Sequence, residues 1–249
     1  VQVSTRAVLT AVLATLVAVG GYLATLTFGE LPLAVVVGAL AVLFAFGWPM
    51  LTDLPSRPGS GAVVALGGAG AVAVVYLTVG EPFLRALPVV FGAAIVLTFI
   101  NELLRTDGRS HLVESVSGTV AGTLIAACAA GWVATQRAPG GAGLVIAGAL
   151  ALAVGSAVCA LRVPGWAGVS ITTGAAVVAG GLGGAVLRGL DPVAGALLGL
   201  AVGVLVAAIH ELFDRLPALS RVPASLAATV LPVPVTGVLV YVVGRVMVG

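Results

Sequence analysis

Two short phrases carry the side chains best placed for chemistry. Asn101-Glu102-Leu103 and His210-Glu211-Leu212 each close a long apolar run just before a charged loop. Each is followed by a hydroxyl pair at i, i+4: Ser115 with Thr119, then Ser225 with Thr229. A carboxylate beside a histidine suits proton coupling or general acid/base work. Acids inside apolar segments are costly and mark functional positions. Glu102, Glu211, Asn101 and His210 are therefore the candidate residues for substrate binding or proton coupling. The competing reading is local pairing at the headgroup level, Glu102 with Arg105 at i+3 and Glu211 with Arg215 at i+4.

The loop after the first phrase offers different chemistry. Arg105, Arg109 and His111 precede a run that opens on Ser115 and Thr119. Arginines beside a helix start can hold an anion or a lipid headgroup. The plainer reading is a basic loop with Ser115 as N-cap. The two cysteines and two histidines make no metal-ligand pattern. Neither metal nor cofactor is expected, and no catalytic residue is assigned. Enzyme activity stays open, with the balance against it.

The elements that must position these residues are set by composition. Hydrophobic residues make up 60% of the 249-residue chain and charged residues 8%, with a mean hydropathy of +1.23. Soluble domains carry about 25% charged residues. So little charge cannot cover a water-facing surface, and the solvent is the lipid bilayer. A net charge of +2 gives no reason to expect nucleic acid. All eleven basic residues are arginine, which excludes a Walker A loop and Schiff-base lysine chemistry. The Ala/Val/Gly-rich usage reads as bacterial.

A spanning helix needs about 20 apolar residues. Nine runs qualify or nearly so: 7–28, 31–51, 61–80, 81–104, 115–135, 142–161, 167–187, 192–213 and 222–248. The first is read as a retained helix rather than a signal peptide. Trp48 is expected at the membrane interface. Gly67, Gly68 and Gly70 in the third run allow close helix approach. Glu81-Pro82 is expected to start the fourth helix. Pro232 and Pro234 are expected to kink or break the ninth.

Several features recur about 110 residues apart: Gly38-Ala39-Leu40-Ala41 with Gly148-Ala149-Leu150-Ala151, Glu81-Pro82 with Asp191-Pro192, and the two glutamate phrases. The expected architecture is an all-α integral membrane protein. An N-terminal transmembrane helix (1–30) precedes two four-helix repeats in parallel orientation (31–137 and 142–249), related about an axis along the membrane normal. That symmetry would bring both glutamates near the axis. Seven arginines fall on the amino-terminal side of these spans and four on the other, which predicts a cytoplasmic N-terminus in a cell inner membrane.

Two stretches resemble the phosphatidate cytidylyltransferases. Ser115-Val116-Ser117-Gly118-Thr119-Val120-Ala121-Gly122 has the Ser-x-x-x-Thr-x-x-Gly spacing of a stretch in that family, and His210-Glu211-Leu212-Phe213-Asp214-Arg215 is loosely similar to its His-Gly-Gly-x-x-Asp-Arg. The family's lysines are absent here, as are the two glycines. The resemblance implies a lipid-phosphate enzyme, with Arg105, Arg109 and His111 on the phosphate and Glu211 with Asp214 on a divalent ion. The first expectation from the residues themselves is a small permease or flippase with its site between the repeats. A non-catalytic membrane subunit is the third, its glycine-rich third and seventh runs facing a partner membrane protein or a second copy.

Overall fold

A computed structural model describes residues 3–26, 29–106, 108, 110–187, 190–214, 219 and 221–247. Eleven α-helices and no strand occur among them: α1 (Val3–Ala24), α2 (Leu31–Leu51), α3 (Arg57–Leu77), α4 (Leu87–Leu103), α5 (Leu112–Ala127), α6 (Ala130–Arg137), α7 (Gly141–Cys159), α8 (Gly165–Val186), α9 (Pro192–Asp214), α10 (Val222–Val230) and α11 (Pro232–Met247). The helices α5–α6 and α10–α11 each form one interrupted apolar span, so eight segments are long and apolar enough to cross a membrane. The helix α4 is a ninth, shorter apolar element. This is a polytopic all-α membrane protein of about nine helices.

Polar contacts sort the helix ends into two sets. At the first end, Asp53 after α2 accepts from Arg57 (3.1 Å) and from Arg221 (3.2 Å) before α10. There too, Ser56 donates to Asn101 of α4 at 3.2 Å. At the second end, Arg245 of α11 holds Glu81 through two bonds of 3.1 and 3.2 Å. Beside it, Arg137 donates to the carbonyls of Val75 (2.7 Å) and Tyr76 (2.9 Å), closing the carboxyl end of α3. The chain alternates between these ends from helix to helix. Short as it is, α4 joins them: Glu81 precedes it at one end and Asn101 closes it at the other.

Small residues set the helix spacing. The glycine stripes of α8 and α9 lie backbone to backbone, a Cβ at Gly180 meeting the Gly195 carbonyl and one at Gly195 meeting that of Gly180. Gly67 and Gly68 of α3 admit Thr123 and Ala126 of α5 in the same way. The core runs through the middle of the bundle, with Phe44, Trp132, Leu33, Leu152 and Leu198 fully enclosed.

Three local expectations need correction. Glu81-Pro82 lies in a turn-rich segment, and α4 begins at Leu87, where Pro88 takes an early helical position that needs no N–H donor. The first helix starts before residue 7: α1 begins at Val3 and includes Arg6, which is buried. Trp48 is buried rather than interfacial: its indole donates to the Gly118 carbonyl of α5 at 2.8 Å. The break expected at Pro232 is present, with α10 ending at Val230 and α11 starting at Pro232. A second break, between α5 and α6, has no proline. There the chain tightens into i→i+3 bonds, Cys128 to Ile125 and Ala129 to Ala126, both 3.2 Å.

Candidate functional site

Glu102 is the most enclosed acid among the described residues, only 2% exposed. It ends α4 against the start of α5. Arg105, one turn on, places a guanidinium nitrogen 2.6 Å from Oε2, and both side chains are almost fully covered. Ser115, at the first turn of α5, donates its hydroxyl hydrogen to Oε1. Asn101 adds a longer bond to the same oxygen at 3.4 Å. These three complete the polar partners of Glu102 among the described residues. An ion buried in a low-dielectric setting persists only when paired and hydrogen-bonded, and here both carboxylate oxygens are engaged.

The network extends along α5 and into α3. Thr119 donates either to the Ser115 carbonyl at 2.7 Å or to Ser60 at 2.9 Å, since one hydroxyl hydrogen serves both geometries. Ser60, Ser115 and Thr119 are each completely buried. Asn101 closes the circuit by accepting from Ser56. Arg105 also donates to the Ser110 carbonyl at 3.0 Å, which draws the loop back over the end of α4. Five of the sequence candidates, Asn101, Glu102, Arg105, Ser115 and Thr119, thus meet in one buried cluster. Ser56 and Ser60 belong to it and were not anticipated. Their i, i+4 spacing, the same as that of Ser115 and Thr119, was the available signal.

The remaining candidates lie elsewhere. His111 starts α5 in a left-handed conformation (φ 55°), with Nδ1 3.6 Å from Glu114 on the exposed surface. Arg109 lies outside the described residues. His210 and Glu211 line a separate cleft of about 60 Å³ at the first end, between the end of α7, the start of α8 and the end of α9. Cys159, Arg162 and Thr172 share its wall. Nδ1 of His210 lies 2.9 Å from the Val206 carbonyl one turn back. A carbonyl can only accept, so that nitrogen carries the proton. Glu102 has no direct contact with His210 or Glu211, and α4 packs chiefly on α3 and α5 while α9 packs on α7, α8 and α11. Thr229 repeats the bond of Thr119, donating to the Ser225 carbonyl at 2.8 Å, and its own carbonyl accepts from Thr10 of α1 at 2.7 Å.

The two stretches that resemble the cytidylyltransferases fall in different places, one in the buried cluster and one beside the cleft. The side chains of Asp214 and Arg215 lie outside the described residues. Among the described residues no three His, Cys, Asp or Glu side chains group as metal ligands. Comparison with known families, with curated proteins and with solved structures finds no match.

Where the two interrupted spans meet, the chain crosses itself. Gly131 of α6 and Gly237 of α11 approach so closely that a Cβ on either would collide with the other helix. The Trp132 indole fills the angle and donates to the Val233 carbonyl at 2.9 Å. Pro232 and Pro234 lack the N–H groups that would bind the carbonyls of Ala228 and Val230, which frees this stretch from the regular ladder.

Proposed function

We propose that this protein is a small multi-pass transporter, a permease or flippase, of a bacterial inner membrane. The observation that carries the reading is the crossing of the two interrupted spans, α5–α6 and α10–α11, at Gly131, Trp132 and Gly237. Discontinuous helices that meet inside an apolar bundle are the usual moving and ligand-facing parts of transporters. A merely structural bundle has no need to break two spans where they touch.

A duplicated plan supports it. The interrupted spans Leu112–Arg137 and Val222–Met247 are both 26 residues long and begin 110 residues apart. The spans Leu31–Leu51 and Gly141–Cys159 begin at the same separation. On this reading residues 31–137 and 142–249 are two parallel four-helix units and helix 1–30 is an addition. The buried Glu102 cluster and the His210–Glu211 cleft are then the corresponding polar stations of the two units, at the cytoplasmic end.

The test is transport by the purified protein in liposomes, with a panel of labelled solutes and labelled phospholipids. Wild type is expected to move one of them, and Pro232→Ala/Pro234→Ala, which mends the break, is expected to fold and lose the activity. Movement no faster than in protein-free liposomes, or full activity in the mended variant, defeats the reading.

One observation favours a non-catalytic subunit instead. An open apolar groove of about 460 Å³ runs between α2 and α3, floored by Gly38, Ala39, Ala69 and Ala73. Small residues of this kind admit a neighbouring helix. The glycine stripes of α3 and α8, by contrast, are spent on contacts within the chain. Co-purification of a second membrane protein, lost on Gly38→Leu, would establish this reading in place of transport.

A further inference from the structure

We propose that the interrupted span α10–α11 is a pair of arms on one pivot, each arm latched at its tip by an exposed ion pair that governs opening at its own end of the bundle. Two arginines bracket the span. Arg221 stands just before α10 and donates to Asp53 at 3.2 Å at the first end. Arg245, in the last turn of α11, holds Glu81 through two bonds of 3.1 and 3.2 Å at the second end. Both acids flank the same neighbour, the uninterrupted helix α3, Asp53 before it and Glu81 after it. A broken span is thus tied at each tip to the loops of an unbroken one.

The contacts of the span are firm at its middle and weak at its tips. At the middle Gly237 meets the backbone of α6 near Gly131, and the fully buried Trp132 holds the Val233 carbonyl. Nothing replaces such packing if the helices part there. At the tips the Asp53 and Arg221 side chains are 72% and 54% exposed, and those of Glu81 and Arg245 41% and 46%. Water replaces an exposed ion pair at little cost, and salt screens it. The two arms also rest on different supports: α10 packs chiefly on α2 and α1, and α11 on α6, α9 and α7. Where they join, Pro232 and Pro234 remove two bonds of the helical ladder. Either arm can therefore swing at its tip without carrying the other or opening the middle. Release of Arg221 uncovers the start of α10, where Ser225 is buried, and release of Arg245 uncovers the end of α11, where Val240 is buried. The proposal rests on the transporter reading for the use of this motion, but the motion itself is measured without any solute.

The experiment is the rate at which single cysteines react with a small water-soluble methanethiosulfonate, in the full chain with Cys128 and Cys159 replaced by alanine. Ser225→Cys reports on the first end and Val240→Cys on the second. Arg221→Gln, which leaves Arg57 to hold Asp53, is expected to speed Ser225→Cys about threefold, a factor within the reach of an exposed pair, and to leave Val240→Cys no faster. Arg245→Gln is expected to do the reverse. The double variant Glu81→Gln/Arg245→Gln is expected to match Arg245→Gln alone, because the latch is already broken in the single variant. An arginine variant that leaves the cysteine at its own end unchanged overturns the proposal. So does one that speeds both cysteines alike, as a general loosening of the fold would, and so does a double variant in which the two effects multiply. If the rates behave as expected but liposomes show no transport, only the transporter reading falls. If solute moves and the rates do not respond, only the latches fall.

Discussion

Ser115 donates its hydroxyl hydrogen to Oε1 of Glu102, thirteen residues earlier, and so pins the start of α5 to the end of α4. The other carboxylate oxygen belongs to Arg105. The loop between the helices is thereby closed by side chains on both of its shoulders.

Removing the charge of Glu102 should show what this closure is worth. Glu102→Gln takes the carboxylate charge away from the guanidinium in a site where the Arg105 side chain is only 6% exposed. Breaking one partner out of a buried pair costs about 3 kcal/mol or more. The double variant Glu102→Gln/Arg105→Gln should recover part of that loss, because the buried pair is then replaced as a whole. Unfolding in mixed micelles, followed by circular dichroism, measures both.

The crossing of α6 and α11 makes a sharper steric prediction. Gly131→Ala sets a methyl group against the backbone of Gly237 and should destabilise by about 1–3 kcal/mol. Gly92→Ala, in open space on α4, should be neutral or stabilise by up to about 1 kcal/mol through helix propensity. Melting temperatures of the pair, taken side by side, check the contrast.

Trp132 separates packing from hydrogen bonding at the same crossing. Trp132→Phe keeps most of the ring volume and loses the bond to the Val233 carbonyl, for a cost of about 1 kcal/mol. Trp132→Ala empties a fully buried site and should cost about 3–5 kcal/mol. Similar losses in the two variants would show that the bond, not the filling, dominates.

The two-ended arrangement of the loops can be read from outside the cell. In a variant with Cys128 and Cys159 replaced by alanine, Pro139→Cys should react with an impermeant maleimide in intact cells. Ser110→Cys should react only after the membrane is opened, because its loop shares the end at which α1 begins. The reverse pattern would place the N-terminus outside.

Much of this architecture could be read from residue order alone. Lipid allows the backbone few choices, so each apolar run near 20 residues announced a helix. The break at Pro232 was legible because a missing N–H is written in the sequence. The break at Cys128–Ala129 was not, because no proline marks it locally, and the glycine packed against it, Gly237, lies over a hundred residues away in the chain. Trp48 looked interfacial from its place in the run. Only the position of Gly118 in α5 reveals that the indole has a partner inside. The Glu102 cluster was half visible. Its acid, arginine and hydroxyl pair lie within one short stretch, whereas Ser56 and Ser60 reach it from the start of α3, 45 and 59 residues before the partners they bond.

The order in which the helices find their partners bears on how the protein is made. The buried face of α2 is shared between its successor α3 and the much later α10, with Gly47 against the backbone of Pro223, and α1 lies along α7. The helix α1 and the α10-facing part of α2 therefore leave the ribosome long before the surfaces they pack against have been synthesised. The nascent chain must wait in the bilayer with Gly47 and its neighbours facing lipid, until α10 is threaded back between helices already inserted. Degradation of chains truncated before residue 222 should be correspondingly fast, since their earliest helices remain the least finished part of the molecule.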